Sequence, residues 1–145
     1  MTTRFTGGCM CGAVRYECGT DPIAMGNCHC RDCQRATGSA FAAAVLVPVS
    51  AVKITGEVKY YEVIGDSGGI VRRGFCPNCG ARLFGQSAAS AGGISIMAGT
   101  LDDSSWFMPK RTSTQPARSR GTTCIRICRS SPGRHRHSRR IEVLR

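Results

Sequence analysis

Hydrophobic and polar positions alternate in short runs from the N-terminus to about residue 108, and the period is two far more often than 3.6. Residues 13–18 put Ala13, Arg15 and Glu17 on one face and Val14, Tyr16 and Cys18 on the other, as a half-buried strand requires. Residues 40–47 form a continuous apolar run of the kind a buried strand shows, although its alanines also suit a helix. Residues 52–56 and 58–63 are strand-like and meet at a turn centred on Gly56-Glu57. Residues 70–75, 82–84 and 93–97 complete the set of predicted strands. One short helix is predicted over residues 31–37, with Gly38 as its C-cap. Eighteen glycines suit tight turns between short strands. The pattern predicts a mainly β fold with short helical turns.

The length of 145 residues suits one domain with a modest core. No apolar run approaches the eighteen or so residues that a membrane span needs. The segment Met1-Thr2-Thr3-Arg4-Phe5 does not read as a secretory leader. Ten cysteines are therefore expected to stay reduced in a cytoplasmic protein, and metal ligation is the better reading of them than disulfides.

The net charge of +11 changes meaning once it is divided along the chain. Residues 1–108 carry nine Lys/Arg against eight Asp/Glu, whereas residues 109–145 carry eleven against one. The expected organisation is a zinc-binding domain over residues 1–110 and a basic, irregular Arg/Ser-rich tail over 111–145. After Lys110 there are ten arginines and no lysine, the composition a GC-rich gene yields when read out of frame. On that reading Cys124, Cys128, His135 and His137 are accidental. The rival reading is a disordered basic arm that grips nucleic acid or acidic partners.

The chemistry lies in three cysteine clusters. Cys76-Pro77-Asn78-Cys79-Gly80 is a knuckle whose two thiolates can grip one tetrahedral ion. A closed site needs four ligands, and Gly8-Cys9-Met10-Cys11-Gly12 supplies the natural second pair. Cys9, Cys11, Cys76 and Cys79 are grouped as a structural four-thiolate zinc site. Cys28-His29-Cys30-Arg31-Asp32-Cys33 offers three more thiolates. Three protein ligands leave one position open, which is the pattern of catalytic zinc, so Cys28, Cys30 and Cys33 could hold a second, catalytic zinc, with a reactive thiol as the other reading. His29 could be a fourth ligand or an acid/base group. Arg31 and Arg35 could offset thiolate charge or bind a substrate carboxylate. Cys18 reads as a small buried hydrophobe, and Trp106 and Phe107 as core plugs.

These three motifs, with Gln34-Arg35-Ala36-Thr37-Gly38 after the second and Phe75 before the third, resemble the GFA family, the glutathione-dependent formaldehyde-activating enzymes, which includes the centromere protein V domain. The resemblance covers about residues 4–110. It implies a zinc-bound β-tent fold, a structural zinc on the residues matching Cys9, Cys11, Cys76 and Cys79, and a labile zinc on those matching Cys28, Cys30 and Cys33. It also implies carbon–sulfur lyase activity of the S-(hydroxymethyl)glutathione synthase kind, with glutathione or another small thiol as partner. Thr112 to Pro116 is compatible with the family's ending, and the sequence from Ala117-Arg118 onward departs from it. The alternative function is a non-catalytic zinc-stapled module that uses the tail to bind nucleic acid.

Overall fold

The computed structural model describes residues 4–65, 68–90 and 92–113. The basic segment from residue 114, with its two cysteines and two histidines, lies outside the described residues. Strands β1 (Phe5–Gly8), β2 (Arg15–Cys18) and β5 (Val52–Thr55) form a small antiparallel sheet in the order β1-β2-β5. Strands β3 (Ala24–Cys28), β4 (Ala42–Pro48), β6 (Lys59–Ile64), β7 (Ile70–Phe75), β8 (Arg82–Ser87), β9 (Gly93–Met97) and β10 (Arg111–Ser113) form a larger one. Its order is β10-β3-β4-β9-β8-β7-β6, antiparallel except where β10 joins β3 in parallel. One α-helix, α1 (Arg31–Thr37), follows β3.

The fold is mainly β, as the alternation predicts. In residues 13–18 the buried side chains are Val14, Tyr16 and Cys18, and the other face is exposed. The run at 40–47 resolves as strand β4, whose Val45 and Val47 are fully buried. The helix spans Arg31–Thr37, and Gly38 closes it with a bond from its N–H to the Gln34 carbonyl. Strands β1, β3 and β10 carry no periodic signal. β1 contains two glycines, and β3 reads Ala-Met-Gly-Asn-Cys, of which Ala, Gly and Asn are weak strand formers. β3 is a strand because β4 and β10 pair with it on both sides.

The core lies between the sheets. Tyr16 and Cys18 from β2 meet Val45, Val47, Leu83, Phe84, Ile94 and Ile96 from the large sheet. Tyr16 and Phe84 pack edge to face with ring centroids 5.5 Å apart. Trp106 and Phe107 cover one side of this core, with Trp106 against Phe5 at 5.1 Å. The Thr100 hydroxyl donates to the Met97 carbonyl at 2.7 Å, so the Tyr16 phenol is the donor in its 3.0 Å bond to Thr100. Gly7 leaves room for that bond, since a Cβ there would sit 2.1 Å from the Tyr16 oxygen and 2.3 Å from the Thr100 carbonyl oxygen. The segment that follows β9 is also tied to the small sheet at the surface, where Arg15 on β2 forms a bidentate pair with Asp102, one arm measuring 2.9 Å.

Two measurements check this joint. Gly7→Ala is expected to cost about 2 kcal/mol or more in denaturant unfolding, because the new methyl overlaps backbone as well as the phenol. Burial pushes the Tyr16 phenol up to about 12. Its contribution to stability is complete below the unfolded value of about 10 and is lost as pH climbs through about 12. An absorbance titration of phenolate should show one late tyrosine step that coincides with unfolding, and Tyr16→Phe should remove it.

Candidate metal centre

The first cysteine group is built by two turns. The β1–β2 turn is held by bonds from the Cys9 N–H to the Val14 carbonyl at 2.9 Å and from the Gly12 N–H to the Cys9 carbonyl at 3.1 Å. The β7–β8 turn is a knuckle in which the Gly80 N–H reaches the Cys76 carbonyl at 2.9 Å, and Gly80 takes a φ of 71° that lets the chain return beneath the thiols. The four sulfurs of Cys9, Cys11, Cys76 and Cys79 lie within 4.8 Å of one another. Cys9 and Cys11 are 3.4 Å apart at sulfur, and Cys11 and Cys76 are 3.7 Å apart. A tetrahedral ion with metal–sulfur bonds of about 2.3 Å needs sulfurs about 3.8 Å apart. Donor type, number and spacing all fit such an ion.

Electrostatics says the same. Burial alone would raise the Cys9 thiol, but the Val14 N–H, 3.2 Å from its sulfur, and the Cys11 and Cys76 thiols hold it down at about 6. The Ala81 and Cys11 N–H groups lower Cys79. Although the Cys79 N–H lowers Cys76, burial and the Cys9 and Cys79 thiols push it up to about 11. Backbone donors favour the first thiolates, which then oppose the last one, and a dication relieves that conflict.

The second group comes from one local segment. Strand β3 ends at Cys28, and α1 begins after Cys30. Cys30 is the N-cap, its sulfur accepting from the Cys33 N–H at 3.4 Å. Cys28, Cys30 and Cys33 are half-buried, with their sulfurs within 4.8 Å of one another. Burial pushes the Cys33 thiol up, and the Cys28 and Cys30 thiols add to it. Among the described residues these are the two groups of His, Cys, Asp or Glu able to hold a metal. His29 stands outside the second group and packs on Phe41 with ring centroids 5.1 Å apart. Cys18 is fully buried and its thiol points to the Thr20 carbonyl at 3.6 Å.

The two groups differ in access. A cleft of about 380 Å³ opens on the large sheet, and Cys28 and Cys33 line it. No cysteine of the four-thiol group does. Much of the wall is small or apolar, including Ala24, Ala42, Ala44, Leu46 and Val71, and its charged residues are Arg73 and Arg82. Arg31 and Arg35, singled out from the sequence, are exposed on α1 and do not line the cleft. Arg31 bonds within its helix to Gln34 at 3.3 Å.

Sequence reading passed over the cleft arginines. Arg73 donates to Asp32 of α1 at 3.4 Å. Arg82 has its pKa lowered by burial, while the Cys33, Cys28 and Cys30 thiols act against that shift. One signal was available, because Arg73 is in phase with Val71 and Phe75 on β7, where an apolar side chain is expected. Its neighbour Arg72 points the other way, pairs with Glu62 at 2.6 Å and lies over the Tyr60 ring.

The model of the glutathione-dependent formaldehyde-activating enzyme family matches residues 4–118. Proteins of Talaromyces marneffei and Penicillium rubens, whose names assign them provisionally as such enzymes, are 29% and 33% identical over 87 residues. Those alignments take in 57% of this chain and 46% and 45% of theirs, so the chain spans about half the length of the curated relatives it matches. A crystal structure of a Rhodobacter sphaeroides protein superposes with a TM-score of 0.54 at 22% identity, over 67% of this chain and 87% of that one, a likeness of fold. The family match runs through both cysteine groups and every strand between them, and the chain belongs to the glutathione-dependent formaldehyde-activating enzyme (GFA) family.

Proposed function

We propose that the protein is a zinc-dependent carbon–sulfur lyase that makes or breaks the bond between a small thiol, such as glutathione, and the carbon of formaldehyde or a similar small aldehyde. The observation that carries this reading is the three-cysteine group at the wall of the cleft, with Cys28 and Cys33 among the lining residues. Cys9, Cys11, Cys76 and Cys79 would hold a structural zinc, and Cys28, Cys30 and Cys33 a catalytic one. Zinc on the three cysteines supplies one open position that lowers the pKa of an incoming thiol.

The chain's own residues do the rest. Capping of α1 by Cys30 fixes that sulfur relative to Cys33, which holds the ligand geometry before metal arrives. The small side chains of Ala24, Ala42 and Ala44 leave space for the reacting carbon and keep its surroundings apolar. In the forward direction the thiolate sulfur forms a bond to the carbonyl carbon, and the oxygen takes up a proton. In reverse the hydroxyl proton leaves, the C=O bond re-forms and the sulfur keeps the bonding pair. Arg31 and Arg35, exposed on the helix, would meet only a part of the thiol that extends beyond the cleft. The domain through β10 carries this chemistry, since Ser113 pairs with Cys28 at the end of β3.

Metal counting separates the two sites. The wild type should carry two zinc ions per chain, and Cys30→Ser about one, with an unchanged circular dichroism spectrum. Cys76→Ser should instead lose about 3 kcal/mol or more, a fall of roughly 10 °C in thermal midpoint. One ion in both wild type and Cys30→Ser would end the two-site reading. Catalysis has its own test in exchange NMR of glutathione, formaldehyde and their adduct, because the adduct also forms unaided. Cys30→Ser should reduce the catalysed exchange at least about a hundredfold, and an undiminished rate would remove the three-cysteine group from the chemistry.

A further inference from the structure

Four buried polar atoms on the cleft wall find no hydrogen-bond partner among the described residues. They are Arg73 Nε, Arg82 Nε, Arg82 Nη1 and Asn27 Oδ1. Leaving a buried charged donor unpaired costs more than leaving a neutral one, so such groups call for a completing partner, whether water, an ion or a ligand. Three of the four are guanidinium N–H donors, and they belong to the two arginines that share the cleft with Cys28 and Cys33. The Arg73 side chain is only 12% exposed, and its partner among the described residues, Asp32, is 56% exposed and touches a different nitrogen.

Charge permits the same reading. A divalent ion on three thiolates would carry a net charge of −1, Arg73 and Arg82 add +2, and the half-exposed Asp32 on Arg73 takes back −1. The site would then be near neutral, so a carboxylate is not repelled from the guanidinium N–H groups that lack partners. A guanidinium fork matches a carboxylate, with two parallel N–H donors to two oxygens. An N–H or O–H of the same ligand would satisfy Asn27 Oδ1.

We propose that Arg73 and Arg82 form a carboxylate clamp in the cleft, so that this site selects thiols, and thiol adducts of aldehydes, that carry a carboxylate. This rests on the reading that the three-cysteine site takes a thiol, and the test is chosen to separate the two. The clamp residues determine specificity and touch no reacting atom.

The experiment uses the full zinc-loaded chain and binding, not turnover. Affinities for 3-mercaptopropionate and 2-mercaptoethanol are measured by calorimetry on wild type, Arg82→Gln and Arg73→Gln, with zinc content checked in each. Loss of either clamp arginine is expected to lower 3-mercaptopropionate affinity about tenfold and to leave 2-mercaptoethanol affinity within about twofold. Loss of both thiols together with loss of zinc would mean that the arginines only balance thiolate charge, and the clamp would fall. No loss for either thiol would overturn it as well. Butyrate, with a carboxylate and no sulfur, decides the case if the wild type binds neither thiol. A shift of the Arg82 Nε–H resonance with butyrate, absent with butanol, supports the clamp although the thiol reading has failed; no shift overturns the clamp. Should Arg82→Gln fail to fold, Arg82→Lys takes its place, with the same selective loss expected because an ammonium cannot offer the fork.

Discussion

Four sulfurs meet at the junction of two sheets that share only a thin core. The β1–β2 turn brings Cys9 and Cys11, the knuckle between β7 and β8 brings Cys76 and Cys79, and these turns belong to different sheets. Behind the sulfurs the buried layer is one residue deep from the small sheet, essentially Val14, Tyr16 and Cys18. A domain of this size buries too little to be generous with its joints. The ion that the four thiols fit, the Arg15–Asp102 pair and the Tyr16–Thr100 bond all span the same junction from different sides. With that junction fixed, the outer face of the large sheet is free to carry a cleft lined with small residues instead of a second core.

That freedom has an electrostatic cost. Arg82 stands where burial disfavours its charge, and Arg73 nearby has the same sign. Two guanidinium groups would be pushed apart unless something negative lay between or beside them. The three thiols supply part of the answer, since each acts to keep Arg82 charged. Asp32, in the same turn as the cysteines, supplies another part by reaching Arg73. The cysteines and arginines are therefore one electrostatic unit, although β3, α1, β7 and β8 contribute them from separate stretches of sequence.

What the sequence made legible follows from what it encodes locally. The buried face of β2, the helix with its glycine cap, and both cysteine groups all rest on spacing within a few residues. The pairing of Cys9 and Cys11 with a knuckle some sixty-five residues away was reachable because four ligands were needed and few candidates existed. Strand β3 was not legible, because Ala, Gly and Asn become a strand only when neighbours on both sides supply the ladder. The cleft arginines were missed for a related reason. Arg73 betrays itself weakly by standing in an apolar phase, but Arg82 becomes a site residue only when β8 lies beside β7. Arg31 and Arg35 stood out because they are neighbours of the cysteines in sequence, and on a short helix such neighbours face solvent as easily as substrate.

The same contrast between local and distant ligands explains how one small domain can hold two metal sites with different duties. Joining Cys11 to Cys76 through an ion closes a loop of 65 residues. In the chain-entropy picture of a cross-link, that removes about 4 kcal/mol of disorder from the unfolded chain. Joining Cys28 to Cys33 closes a loop of about five residues and removes only about 2 kcal/mol. The long closure would couple an ion to the whole fold. The short closure would couple an ion to one turn, whose strand and helix are held by β4 and by backbone bonds in any case. A site with an open position must tolerate exchange of what occupies it, and placing all its ligands within six residues keeps that exchange separate from the stability of the domain. On the proposed function, three cysteines in a row of six would be a poor staple and a suitable workplace, each spacing matching the duty it can bear.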